Sequence, residues 1–366
     1  MKKVLFIRSN PVFPDPRVQK EAKSLSDGGY EVEILAWDRA GKLKNHENLD
    51  GYSIKRFNMK APYGKPSLIL KLFIWLCYEF IYLMKSDYDI IHSCDFDTIG
   101  PAFIVSRIRN KKLVYDCFDF YADSLPINVP FLIRGIVSWL EIYFAKKSDF
   151  VILPDPNRVK QFKNKLKNLL IIYNTPNEPK HRLNKINNEF FEIFFAGAIY
   201  EGRGIENIIL ATANLINVKI TIAGYCVHDS KIIESIKKAK NVEFIGKINY
   251  NDVLKRTFSS DVLFALYDPK IPNHRYASPN KLFEAMMCGK PIIVSAETSM
   301  AKIVKKENCG IIVDYNNIKE LENAIIQLQK NPLLRRNLGN NGIKAYKTKY
   351  NWTIMANRLL KLYKRI

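Results

Sequence analysis

Short apolar runs, each separated from the next by a stretch long enough for a helix, constrain this chain most. Val4-Leu5-Phe6-Ile7, Val32-Glu33-Ile34-Leu35, Ile90-Ile91-His92, Leu113-Val114-Tyr115 and Phe150-Val151-Ile152-Leu153 mark strands in the first half. Glu192 to Ala196, Val218 to Ala223, Val242 to Ile245, Val262 to Leu266, Ile292 to Ser295 and Ile311 to Val313 do so in the second. Continuous apolar strands need helices on both faces, so the alternation predicts an α/β protein with doubly wound parallel sheets and ligands at the carboxyl ends of the strands. At 366 residues the chain has room for two such domains. The stretch from Asn174 to Asn188 is polar, basic and broken by Pro176 and Pro179, which reads as a linker. The expected organisation is therefore 1–174, a linker at 175–188, a second domain at 189–350 and a last segment at 351–366 whose helix runs around Trp352 to Lys364.

The segment Ser278 to Ser295, SPNKLFEAMMCGKPIIVS, carries the sharpest chemistry. Pro279 suits a first helical turn, Ser278 is placed to cap its free amides, and Leu282, Phe283, Ala285 and Met286 form an apolar face that ends at Gly289. A helix N-terminus attracts anions, and Lys281 adds a full charge in the first turn. Glu284, one turn on, could accept hydrogen bonds from two ribose hydroxyls. A capped helix with Lys and Glu three apart is also an ordinary surface helix. The segment Phe194 to Ile209, FFAGAIYEGRGIENII, places Gly197, Gly202, Arg203 and Gly204 between a strand and a helix. Backbone bare of side chains can approach a phosphate, and a guanidinium can clamp a diphosphate bidentately. The same pattern also fits a glycine-punctuated turn with a solvated arginine.

Together these segments resemble the nucleotide-binding half of family-four glycosyltransferases, retaining enzymes of the GT-B fold, in the subset that reads SPNKLFE. The resemblance implies two Rossmann-like domains facing a cleft, with the last helix crossing back to the first domain. It implies a donor nucleotide held by Gly197, Arg203, Gly246, Lys247, Ile248, Ser278, Pro279, Asn280, Lys281, Leu282 and Glu284, with Arg203 and Lys281 also serving catalysis at the departing diphosphate. Three positions depart from the family. Ala198 stands where a basic residue follows the first glycine, Tyr276 where the first of two glutamates lies near the transferred sugar, and Phe118 where a histidine often sits in Asp116-Cys117-Phe118-Asp119. Asp116 and Asp119 are the catalytic candidates left in that segment. Tyr276, Arg17, Asp95 and Asp97 are candidates for the donor sugar or acceptor. His92 reads as a packed strand-end residue. Asp95-Phe96-Asp97 has the spacing of a metal-binding Asp-x-Asp, but GT-B enzymes neutralise the diphosphate with Arg, Lys and helix dipoles, so no metal is expected. No cofactor is expected beyond the nucleoside-diphosphate-sugar itself.

A net charge of +21, from 57 basic and 36 acidic residues, asks for an anionic partner. No nucleic-acid recognition module is present, which leaves an anionic membrane surface or a solvated basic face. The run from Arg158 to Lys185 is densely basic. Leu68 to Met84 is the one stretch apolar enough to suggest a membrane span, but Lys71 and Glu79 argue for a buried or interface-lying helix, and Ile127 to Ala145 is of the same type. The N-terminus is too short in apolar residues for a signal peptide. The six cysteines lack metal or disulfide spacing and read as reduced thiols. The expectation is a cytoplasmic transferase, peripheral at the inner face of the cell membrane, that moves a sugar to a hydroxyl of a glycan or lipid-linked acceptor in surface polysaccharide or glycolipid synthesis. A nucleotide-sugar-binding partner of an assembly complex and a GT-B epimerase are the competing readings.

Overall fold

The computed structural model describes residues 1–62, 67–126, 129–179, 189–226 and 231–366. The chain divides into two compact units, Met1–Tyr173 with Met355–Ile366, and Asn174–Ile354. Part of the expected linker, 180–188, lies outside the described residues.

The first unit holds β1 (Lys3–Arg8), β2 (Glu31–Asp38), β3 (His46–Leu49), β4 (Tyr52–Asn58), β5 (Ile90–Cys94), β6 (Lys112–Asp116), β7 (Phe150–Leu153) and β8 (Leu169–Ile171). They form one sheet in the order β3-β4-β2-β1-β5-β6-β7-β8. All neighbours are parallel except the β3–β4 pair. Strands β3, β4 and β8 were not expected. HENL and YSIKRFN are polar because this end of the sheet is not fully covered, and β8 has too few residues to make a run. The direction of winding reverses between β1 and β5, whose carboxyl ends carry Arg8 and Cys94-Asp95.

The second unit holds β9 (Phe191–Ile199), β10 (Val218–Cys226), β11 (Val242–Phe244), β12 (Val262–Ala265), β13 (Ile292–Ser295) and β14 (Gly310–Val313). Their order is β11-β10-β9-β12-β13-β14, every pair parallel. This is the doubly wound order, and it reverses between β9 and β12, where such sheets bind ligands.

The last helix, Trp352–Tyr363, buries Met355, Leu359, Leu362 and Tyr363 in the first unit. Arg358 Nη1 donates to the Ile171 carbonyl over 3.3 Å. The Tyr363 hydroxyl lies 2.6 Å from His92 Nδ1. All six cysteines are free thiols.

Candidate functional site

At the carboxyl end of β9 the chain runs Ala196-Gly197, level with Ala223-Gly224 of β10. A Cβ on Gly224 would lie 1.8 Å from the Gly197 carbonyl oxygen, so only glycine lets the two strands run this close here. The helix Asn280–Cys288 brings its first turn to this pair of glycines and stops at Gly289, in the left-handed conformation that Cβ-bearing residues disfavour. Its N-cap is Pro279 rather than the expected Ser278, and no side chain caps it. The helix starts one residue later than expected. Ser278 Oγ, in a buried residue, and Asn280 Oδ1 consequently have no hydrogen-bond partner among the described residues. The Ser278 hydroxyl and the uncapped amides of the first turn are donors that an anion could engage.

Lys281 is buried, with Nζ 3.4 Å from the centroid of the Phe195 ring and 3.7 Å from where a Gly197 Cβ would stand. Burial pushes its pKa well below the ordinary lysine value, Arg203 pushes it further down, and Glu284 opposes this. Arg203 lies over two rings, 4.5 Å from the Tyr200 centroid and 4.1 Å from that of Tyr267, and donates to the Tyr200 hydroxyl. Two cations without a bound anion between them repel each other, and a diphosphate would relieve that repulsion. Glu284 is buried one turn past Lys281, beside Tyr250, whose phenol pKa is raised by burial and by the Glu284 carboxylate. A cavity of about 330 Å³ joins Gly197, Gly224, Lys247, Ile248, Lys281 and Glu284. The arrangement offers phosphate charge, a carboxylate for paired hydroxyls and backbone for a base within one concavity. Pro279 and Asn280 line the same cavity, whereas Leu282 is buried in the core of the unit. Gly246 approaches it through its carbonyl, which accepts from Gly224 N over 2.8 Å. Tyr276 closes the short helix Pro272–Arg275, before the Ser278 turn.

At the β1/β5 end of the first unit, the aspartates and arginines form closed pairs. Arg17 is almost fully buried and holds Asp116 through Nε at 3.2 Å and Nη2 at 2.8 Å, while Nη1 donates to the Ile172 carbonyl. Arg17 is thus not an open phosphate ligand and Asp116 is not an open catalytic acid: each neutralises the other. Glu21 sits 3.2 Å from Arg17 Nε, and burial, with Asp116 beside it, pushes its pKa well above the carboxylate range. His92 stacks on Phe6 at 4.0 Å, and burial lowers its pKa. His92, Cys94 and Asp116 bring three potential ligand atoms within 4.8 Å, but the Arg17 guanidinium already stands on Asp116. Asp95 has φ of +68°, pairs with Arg8 and accepts from Phe118 N over 2.8 Å. Burial raises its pKa to about 6 against the pull of Arg8. Asp97 accepts from Ser9 Oγ and pairs with Arg39 at 3.6 Å. Asp119 is exposed on one side and pairs with Arg158. Arg158 itself is buried, so the basic run expected from Arg158 onward begins on the surface only at Lys160.

Residues 176–345 match the family described as glycosyl transferases group 1. An uncharacterised glycosyltransferase of Methanocaldococcus jannaschii is 25% identical over 96% of this chain and 94% of its own length. The capsular polysaccharide biosynthesis glycosyltransferase CapM of Staphylococcus aureus is 26% identical over 51% of this chain and 49% of its own. This chain is a glycosyltransferase. The solved structure of Anabaena HepE in complex with UDP and glucose superposes with a TM-score of 0.75 at 14% identity, covering all of both chains. The glycosyltransferase has the GT-B architecture of two α/β domains.

Residues that the sequence did not single out surround the two cations. Phe195 and Tyr267 supply the ring faces, and Tyr250 lines the same cavity as Glu284. Phe118 lies under two guanidinia, 4.4 Å from Arg8 and 4.7 Å from Arg17. His274 is buried beside the Gly202 turn, its ring 5.1 Å from that of Tyr267. Burial first, then Arg203, lowers its pKa to about 4 from the ordinary 6.5. Between these values the unfolded chain holds a proton that the folded glycosyltransferase does not. Stability from this residue is therefore complete above pH 6.5 and is lost as pH falls towards 4. Denaturant melts between pH 7 and 4 are expected to show a fall of up to about 1.4 kcal/mol per pH unit from this single proton. A His274→Asn protein should show a flatter profile; an unchanged slope would remove His274 as its source.

Proposed function

We propose that this glycosyltransferase moves a sugar from a nucleoside-diphosphate-sugar to a hydroxyl of a glycan or lipid-linked acceptor, with retention of configuration and without a metal. The observation that carries the reading is one cavity in which Lys281 and Glu284 of a single helix meet the bare backbone of Gly197 and Gly224. Lys281 and Arg203, with the amides near Gly197 and Ser278, stabilise the charge that grows on the diphosphate as its bond to the anomeric carbon breaks. Their charges do this without a metal ion. Glu284, beside Tyr250, holds the ribose hydroxyls, and Lys247 and Ile248 flank the base. The acceptor oxygen attacks on the face the diphosphate leaves, and its proton passes to the departing diphosphate oxygen.

The GT-B relatives support surface polysaccharide or glycolipid synthesis as the setting, since CapM is named for capsular polysaccharide biosynthesis. The net charge of +21 supports work on an anionic membrane, peripheral at its cytoplasmic face.

Calorimetric titration with UDP, GDP, ADP and TDP tests the donor site. One diphosphate should bind selectively, and Tyr250→Phe should weaken it about tenfold, the worth of one hydrogen bond to a charged group. Binding by none of them would end this reading, and binding without acceptor-dependent release of diphosphate would make the protein a donor-binding partner instead.

A further inference from the structure

Three helices of the first unit lie side by side over one face of its sheet: Ser67–Lys85, Phe96–Ile108 and Phe131–Lys147. Phe103 links the second to the third, 5.9 Å from Tyr143 and 5.3 Å from Phe144, and Arg107 donates to the Lys147 carbonyl. Their inward residues, Trp75, Leu83, Ala102, Val105, Ile142 and Ala145, belong to one core.

A surface helix that buries one stripe ordinarily carries polar residues on the other. These do not. In Ser67–Lys85 the buried stripe is Trp75, Glu79 and Leu83, yet Ile69 is 80% and Phe73 64% exposed. In Phe131–Lys147, Phe131 is 84%, Leu132 76% and Trp139 63% exposed. Between them the middle helix exposes Ile104 and Ile108. Patches of this extent on a folded protein mark an interaction surface.

The charges choose the partner. The acidic residues of the three helices are Glu79, Asp97 and Glu141; the two glutamates are buried and Asp97 is held by Ser9 and Arg39. Lys85, Arg107, Lys146 and Lys147 are exposed. At one end an open groove of about 430 Å³ sets Phe131, Trp139 and Tyr143 against Lys146, Lys163 and Lys165. The one carboxylate lining it, Asp123, is engaged by Gln161. Aromatic rings beside lysines, with no free acid, match the boundary between acyl chains and anionic headgroups.

We propose that this three-helix face is the surface by which the glycosyltransferase docks on an anionic phospholipid bilayer, with the Phe131–Tyr143 groove taking lipid headgroup phosphates. The proposal rests on the membrane-surface reading above and adds the face and its orientation: apolar side chains enter the acyl boundary and the lysines stay at headgroup depth.

Cosedimentation with vesicles tests it, using phosphatidylcholine alone and phosphatidylcholine mixed equally with phosphatidylglycerol. The full chain should bind the mixed vesicles and bind the neutral ones at least about tenfold less. Phe131→Ser with Leu132→Ser and Trp139→Ser, all exposed positions, should reduce binding by about tenfold or more, as should Lys146→Glu with Lys163→Glu and Lys165→Glu. Lys305→Glu with Lys306→Glu, on the second unit, should leave it unchanged. Wild-type binding by both face variants would overturn the assignment of the face while leaving membrane association standing. Absence of wild-type binding to either vesicle would overturn both. A wild-type dimer in sedimentation that the serine variant abolishes would make the face a contact between copies and overturn the lipid proposal. Titration of the same variants with nucleoside diphosphates reads the donor site separately.

Discussion

Lys281→Met is expected to cut turnover by about 10² to 10³ and to make the unliganded protein more stable. The ammonium is buried against Phe195 and depressed in pKa by burial and by Arg203. In the absence of a diphosphate its charge therefore costs free energy, and an apolar chain of similar length removes that cost. A gain of about 1 kcal/mol fits replacements that relieve strain at a working site. The same substitution removes a cation aimed at the leaving group, for which a loss of about 10² to 10³ in kcat is typical. Thermal melts and acceptor-dependent turnover on one preparation check both halves. A destabilised variant would mean that Lys281 is a structural residue, and unchanged turnover would remove it from the diphosphate site.

Arg17→Met should produce the largest loss of stability in the first unit. Arg17 neutralises Asp116 through two nitrogens and stands against Glu21, all three buried. Removing one partner of a buried pair leaves the other as an uncompensated charge, at about 3 to 5 kcal/mol. For a unit of this size that corresponds to a fall of about 10 °C in its melting temperature. Arg17→Met with Asp116→Asn should recover much of the loss, because the stranded charge is gone. If the double variant melts no higher than the single one, the pair is not what holds this region.

The parallel strands were legible because burial on both faces writes a continuous apolar run, as in Ile292-Ile293-Val294. The edge hairpin β3–β4 is partly uncovered and leaves no such run. Gly289 and Pro291 made the end of the donor helix legible, but its start was misread by one residue, since Ser278 and Pro279 are both plausible first-turn residues and only packing chooses between them. The site residues Lys281, Glu284 and Arg203 stood out through motif spacing. Their environment did not, because Phe195 comes from a strand and Tyr250 from another helix, far away in the chain. Arg17 and Asp116 were candidates for two separate roles and are each other's partners 99 residues apart. Spacing reports what lies along one element, whereas long-range pairing depends on how the sheet winds.

The hydrogen bond between Tyr363 and His92 spans 271 residues. It closes the first unit with a helix encoded after the second unit, which is itself one uninterrupted stretch, Asn174–Ile354. On the ribosome the usual N-to-C order of domain maturation is therefore inverted. The later-encoded domain has all its parts first, and the earlier one lacks a side of its core until Met355–Tyr363 has left the exit tunnel.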